Sequence, residues 1–512
     1  MDSSKTLFTS KTNFSKLAVA FYLLTVACIA IASYMLNGPE FSAWYGSDQA
    51  VHVLMANDFS WPRDLYYWRQ DRLGSIVPFF GYCFHLLGIS TITATGIAKY
   101  GFLFLGYFVA AGFLKTRLAK LVLAFAWFYS LASFSTWTSL GHPYAENTAL
   151  VLCTFALVER FFQQNNQNSV SAHVIIVAAT ICWMLAIWVS DLTLALVPAL
   201  GLQLLFHFYQ SSRKHQTSFV AEISSRLRSK VSISFFIALL TGLWFVVNAK
   251  HHAYSIKEYS TLIASPESIL GMMEHMVKQT WSFLAFHRGN PPQSIAAWGI
   301  IVCITLLILG SFTNKRPISI NIIPNVFLIA ALSVFGAVMI AYWSNNPFPV
   351  LHHYTSVFPF AWLAGLLWFE RLSTRWISFL GIPIVITAFM TVASGYWHKE
   401  KHANGPSPFE TAKQIRTLGK ASIIGDYWFS YIYASASPDS VIATAYQGHT
   451  VRRSTQAHQL VKEPFVYLAK DNWFDKFPDS IQQFNALLIK DGEPFQLANA
   501  TFCRYRSGLL PE

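Results

Sequence analysis

The feature that most restricts this chain is a recurrence of uninterrupted apolar runs. The first, LAVAFYLLTVACIAIASYML at positions 17–36, matches the roughly 17–25 residues a helix needs to cross a bilayer. Comparable runs at 93–114, 119–136, 146–162, 173–189, 192–209, 231–249, 296–312, 321–343, 353–369 and 376–394 bring the expected number of transmembrane helices to eleven. Lipid offers no hydrogen bonds to a backbone, so such runs must satisfy their own amides as helices. The first run lacks a small-residue cleavage signature and others follow it, so it is read as an uncleaved helix, not a removed signal. Composition agrees, with 54% hydrophobic and 12% charged residues against roughly 25% charged in soluble domains.

A formal net charge of +12 raises the possibility of a nucleic-acid partner, and the placement of the basic residues answers it. With the N-terminus inside, sixteen Lys and Arg fall on cytoplasmic segments: Lys5, Lys11, Lys16, Lys115, Arg117, Lys120, Arg160, Arg213, Lys214, Arg226, Arg228, Lys230, Lys315, Arg316, Arg371 and Arg375. The outer loops hold seven: Arg63, Arg69, Arg72, Lys250, Lys257, Lys278 and Arg288. This is the positive-inside bias, and no nucleic-acid partner is expected. The parity rests on SIVPFFGYCFHLLGIS at 75–90. That segment is short, carries Pro78 and His85, and is read as a re-entrant or interfacial helix. Counted as a crossing, it would put the basic loops outside. The first outer loop then covers 37–92.

Residues 1–394 are expected to form the membrane domain and 395–512 a small α/β domain on the outer side. In the tail, strand-like runs (ASIIG, SVIATA, PFVYLA) alternate with helical stretches such as PFETAKQIRTLG. ASIIGDYWFSYIYA reads as a strand ending at Gly425 and Asp426 and passing into a helix, and such strand ends often line ligand crevices. Asp426 would cap that helix, with Tyr427 and Trp428 packed on the membrane part. Cys83 and Cys503 fall on the outer side without any framework spacing, which leaves the redox compartment undetermined.

The charge in the first loop is concentrated in WYGSDQAVHVLMANDFSWPRDLYYWRQDRLGS, at 44–75. If SDQAVHVLMAND is helical, Asp48 and His52 lie four residues apart on one face, with Ser47 as a cap. A carboxylate beside an imidazole suits general-base chemistry or a divalent metal. The competing reading is an interfacial amphipathic helix with Val51, Leu54 and Met55 in lipid. Trp61, Tyr66, Tyr67 and Trp68 suit the headgroup layer. Arg72 precedes Gly74 and Ser75 at a helix start, a geometry that favours a phosphate; pairing of Arg69 and Arg72 with Asp64 and Asp71 is the alternative.

Away from their ends the runs contain no Asp, Glu or Arg, and Lys99 in the second is the clear exception. Transporters usually carry ionisable groups near the midplane, whereas here the acids cluster at the outer surface. STWTSLGHPYAENTAL places His142 and Glu146 at the mouth of the fourth run, with Pro143 favouring a helix start between them. Glu146 could supply a second catalytic acid, orient an acceptor, or simply suit the helix dipole. NNPFPVLHHYTSVFP brings His353 and Tyr354 to the start of the tenth.

This layout resembles the GT-C superfamily of polytopic glycosyltransferases that use polyprenyl-phosphate sugars. Its features are a cytoplasmic N-terminus, an Asp soon after the first run, an outer loop with a Pro-containing juxtamembrane helix, and an acid after the third run. It is similar to the branch of protein O-mannosyltransferases and lipid A aminoarabinose transferases, and the resemblance covers about residues 15–394. It implies that Asp48 is the catalytic or acceptor-activating aspartate, that Glu146 is the second acidic position, and that HHYTSVFP lies near the donor phosphate. The expected substrates are a polyprenyl-phosphate sugar and a glycan, lipid or protein acceptor, met among membrane lipids. His52, Arg72, Lys99, His142, His353 and Tyr354 are the expected substrate-binding residues. Asp48 lacks a paired-acid element, so a divalent metal is left open and no other cofactor is implied. A lipid-linked sugar flippase and a non-catalytic assembly protein are the rival readings. The expected location is the bacterial inner membrane.

Overall fold

The computed structural model describes residues 5–129, 136–164, 169–253, 264–286, 291–313, 322–341, 354–372, 374–402, 406–470 and 473–509. The chain begins with α1 (Lys5–Asn37), then enters the first loop, which holds α2 (Ser47–Asn57) and α3 (Ile76–His85). Next come α4 (Thr91–Phe113), α5 (Arg117–Phe128), α6 (Tyr144–Phe162), α7 (Val170–Val189), α8 (Val197–His215), α9 (Phe219–Leu227) and α10 (Lys230–His252). The series continues with α11 (Pro266–Leu284), α12 (Pro291–Thr313), α13 (Ile323–Ala341), α14 (Val357–Leu372) and α15 (Thr374–His402).

Among the described residues, six stretches are helical, long and apolar enough to cross a membrane: Lys16–Asn37, Thr91–Phe113, Val170–Val189, Asp191–His215, Lys230–His252 and Ile323–Ile340. Each coincides with an expected run. The expected run at 119–136 extends beyond α5 into residues outside the described set, and those at 146–162, 296–312, 353–369 and 376–394 fall on α6, α12, α14 and α15. The spans turn large apolar side chains outward, such as Phe21 and Leu24 on α1 and Leu240, Trp244 and Val247 on α10. A surface of that extent suits lipid and not water. The chain is an integral membrane protein.

Helices α6 and α7, α12 and α15, α13 and α14, and α3 and α4 pack as pairs. At the α3–α4 contact a Cβ on Gly81 would stand 2.7 Å from the Thr95 side chain, so the glycine sets how closely the short helix approaches. The segment at 75–90 thus folds as one ten-residue helix, α3, too short to span, in line with the interfacial reading. The residues between α2 and α3 form a tight turn, with Tyr66 bridged to Gly74 and Leu73 bridged to Ser190 at the end of α7.

Past α15, which continues to His402, lie α16 (Pro408–Ala412), β1 (Ala421–Gly425), α17 (Tyr427–Ala436), β2 (Val441–Ala445), α18 (Ser454–Leu460) and β3 (Phe465–Ala469). The antiparallel strands β4 (Ser480–Gln483), β5 (Ala486–Lys490), β6 (Phe495–Leu497) and β7 (Ala500–Leu509) complete the tail. The sheet order is β2-β1-β3-β7-β5-β4, with β6 paired to β7. β1 runs parallel to both β2 and β3, and β3 pairs antiparallel with β7. The chain goes from β1 to β2 on one side and returns to β3 on the other. The carboxyl end of β1 therefore sits at the topological switch point, where open α/β sheets place their ligand crevice.

The tail is not a separate ball. One hydrophobic core runs continuously from α2, α4 and α6 into α17, β1 and β2, and α17 packs along α2. Tyr45 donates to the Ser435 hydroxyl at 2.9 Å, and Ser407 donates to the Glu40 carbonyl at 2.9 Å.

Candidate active site

Gly46, extended at φ −128° and ψ 178°, starts α2, and its carbonyl accepts from the Gln49 and Ala50 amides at 3.1 and 2.9 Å. The expected Ser47 cap is absent: the Ser47 hydroxyl donates instead to the Tyr427 carbonyl in α17. Val51 and Met55 are fully enclosed and Leu54 nearly so. Helix α2 is therefore held inside protein, not laid on lipid. Tyr66, Tyr67 and Trp68 are likewise buried, and only Trp61 of the expected headgroup anchors points outward, 62% exposed. The charged loop is a folded unit between the membrane helices and the tail.

Asp48, in the first turn of α2, keeps 36% of its side chain exposed. Its Oδ1 accepts from the Tyr427 hydroxyl, from the Tyr67 hydroxyl at 3.3 Å and from Arg452 Nη2 at 3.1 Å. Among the described residues Oδ2 makes no hydrogen bond. Arg452 also donates to the Tyr427 hydroxyl through Nε at 3.0 Å and Nη2 at 2.6 Å. Its guanidinium lies 4.9 Å from the Tyr67 ring centre and 5.0 Å from that of Tyr427. The Arg452 amide donates to the Tyr431 hydroxyl at 2.8 Å, fixing the turn that follows β2. Burial pushes the phenols of Tyr67 and Tyr427 well above their ordinary range, and the Asp48 charge adds to it. Both remain hydrogen-bond donors at neutral pH. Gly141 closes another side: a Cβ there would stand 3.2 Å from that of Asp48.

His52 lies one turn along α2, its ring 5.0 Å from Tyr67, with Nδ1 buried and unpartnered among the described residues. Burial first, and the charge of Lys99 next, lower its pKa to about 3. It is uncharged at neutral pH, so it can offer a substrate a hydrogen bond but not a cation.

The remaining expected residues are distributed differently from their expectation. Lys99 and Glu146 are buried together, 2.9 Å apart, and Lys99 also donates to the His142 carbonyl at 2.9 Å. Glu146 therefore holds Lys99 and does not face outward as a second acid, and Lys99 is spent on that pairing. His142 stacks on Tyr144 at 5.4 Å, and α6 starts after Pro143 as the sequence implied. Arg72, half-buried in the turn between α2 and α3, acts electrostatically on Asp191, which pairs with Lys250 at 3.1 Å. The start of α3 is not an open phosphate site: Ser75, Ile76 and Val77 are buried, and the Ser75 amide donates to the Leu65 carbonyl at 3.0 Å. Tyr354 is buried with its hydroxyl 2.8 Å from the Met339 thioether. His353 lies outside the described residues.

A divalent metal does not fit the surroundings of Asp48, whose partners are an arginine and two tyrosines, donors and not ligands. Among the described residues no group of three or more His, Cys, Asp or Glu is placed to hold a metal. Arg452, not among the expected site residues, and Tyr427, expected only to pack on the membrane part, follow the carboxyl ends of β2 and β1. The strand-end rule reaches both.

No family model and no curated protein matches the sequence, but solved structures do. ArnT from Cupriavidus metallidurans in the apo state superposes with a TM-score of 0.55 at 10% identity, over 90% of this chain and 94% of that one. ArnT from the same organism bound to undecaprenyl phosphate gives 0.58 at 10% identity, over 96% and 98%. The chain shares the fold of these ArnT structures. The likeness covers 96% of this chain, so it takes in the α/β tail that carries Tyr427 and Arg452 as well as the spans.

Proposed function

We propose that this chain is a membrane glycosyltransferase that moves one sugar from a polyprenyl-phosphate carrier to a glycan, lipid or protein acceptor at the outer face of a bacterial inner membrane. The observation that carries the reading is Asp48. It is a partly exposed carboxylate, braced through one oxygen and without a hydrogen bond on the other among the described residues, in a chain with the fold of a protein solved with undecaprenyl phosphate.

In the step proposed, an acceptor hydroxyl oxygen attacks the anomeric carbon while its proton passes to Asp48 Oδ2. The bond from that carbon to the phosphate oxygen breaks, and its electron pair leaves with the polyprenyl phosphate. His52, neutral and beside Asp48, offers a hydrogen bond to the incoming substrate. Of the cations expected at the phosphate, Arg72 keeps partial exposure and is retained; Lys99 is not. The bias of basic residues supports a cytoplasmic N-terminus, which leaves the first loop and the tail packed on it outside.

The test compares surface glycans by mass spectrometry in cells lacking the gene and in cells given back wild type or Asp48→Asn at equal membrane levels. Wild type should restore the missing modification and Asp48→Asn should not. Full restoration by Asp48→Asn would remove Asp48 from the chemistry, and identical glycans with and without the gene would remove the activity.

A further inference from the structure

We infer that Arg452 and Tyr427 of the tail are positioning residues for the base, and that the α/β domain completes the active site by aiming Asp48. The inference rests on the glycosyltransferase reading of Asp48. A carboxylate offers two oxygens with about four acceptor positions, and an arginine facing one usually engages both oxygens through parallel donors. Here the pairing is one-sided. Arg452 reaches only Oδ1, and its Nε is turned instead to the Tyr427 hydroxyl, which itself donates to the same Oδ1. Tyr67, whose hydroxyl lies 3.3 Å from both Oδ1 and the Asp48 carbonyl, adds to the donors gathered on one oxygen and leaves the other to a substrate hydroxyl.

The anchor is stiff. Arg452 is 91% buried in its side chain and lies against the Tyr67 and Tyr427 rings. Its own amide is held by Tyr431. Guanidinium stacking and two fixed hydrogen bonds leave little freedom at either end of the contact. A catalytic base misplaced by about 1 Å loses about a hundredfold in rate, so rigidity of this kind acts on turnover. A second interdomain ion pair, Arg453 to Asp58 at 3.8 Å, joins the same two parts of the chain without touching Asp48. It provides the comparison that separates aiming from mere docking.

The experiment measures, for Arg452→Lys, Tyr427→Phe and Asp58→Asn, the fraction of surface glycan modified in complemented cells. It also measures the affinity of each purified protein for undecaprenyl phosphate. Arg452→Lys keeps the charge and Tyr427→Phe removes one oxygen, so both should reach wild-type membrane levels. Each is expected to lower transfer by about tenfold to a hundredfold with affinity for undecaprenyl phosphate unchanged, while Asp58→Asn transfers normally. Normal transfer by Arg452→Lys and Tyr427→Phe, with Asp48→Asn inactive, overturns the inference and leaves the base assignment standing. An equal loss in Asp58→Asn overturns it in favour of docking, and a parallel loss of undecaprenyl phosphate affinity overturns it in favour of a phosphate ligand. Full activity of Asp48→Asn overturns the reading beneath it.

Discussion

Lys99 of α4 and Glu146 of α6 meet at 2.9 Å with 1% and 2% of their side chains exposed, a complete ion pair where the fourth and sixth helices pack. Two charges taken out of water attract strongly but have each lost their hydration, so the pair is costly to break from one side only. Lys99→Met or Glu146→Leu alone should destabilise the protein by about 3–5 kcal/mol, and the double variant should recover most of that loss. Thermal unfolding in detergent reads both effects. Single variants that melt like wild type would show that the pair does not hold α4 to α6.

Gly74 tests how firmly the first loop is tied to the bundle. A Cβ there would lie 2.5 Å from the Trp188 carbonyl oxygen, at the point where the Gly74 amide donates to the Val189 carbonyl at 3.1 Å. Gly74→Ala must push the turn off the end of α7, at about 1–3 kcal/mol. Trypsin should then cut faster after Arg69 and Arg72. Unchanged resistance would mean that the turn has slack the geometry does not show.

Much of this architecture was legible because hydrophobic period and strand chemistry act locally. The spans, the short α3, the start of α6 after Pro143, and the β1, β2 and β3 strands all follow from runs read in order. What escaped depended on contacts across the chain. Tyr66, Tyr67 and Trp68 look like headgroup anchors by composition, yet they are buried because α17 and the end of α7 cover the loop. Asp48 stood out as a carboxylate just past a span. Arg452 lies 404 positions away in the turn after β2, where the strand-end rule marks the region but not the residue that reaches Asp48. Lys99 stands out in sequence as a charge inside a span, but its partner decides its role: a cation already held by Glu146 is not waiting for a phosphate.

His52 gives the protein an acid sensitivity with a defined window. Folding lowers its pKa from 6.5 to about 3, chiefly by burial and then by the charge of Lys99, so the unfolded chain binds a proton that the native state refuses between those values. The stability is full above about pH 6.5 and is lost as the pH falls toward 3, by at most about 1.4 kcal/mol per unit. His52→Gln cannot take up that proton. Its melting temperature should therefore drop less than that of wild type between pH 7 and pH 5. Parallel pH profiles would place the acid sensitivity elsewhere.

Asp426 lies directly before Tyr427, which makes it a test of how α17 is held. Its Oδ1 accepts from the Trp428 amide at 2.8 Å, capping a helix whose first residue is Tyr427, the residue that contacts Asp48. Asp426→Ala removes the cap at about 1 kcal/mol and frees the first turn to shift. Sugar transfer should fall severalfold while the melting temperature changes by only a few degrees. Asp426→Asn retains an acceptor oxygen in the same place and should transfer close to normally. Full transfer by Asp426→Ala would show that the Ser47 hydroxyl and Arg452 fix Tyr427 without the cap, so that the helix start follows the active site and does not set it.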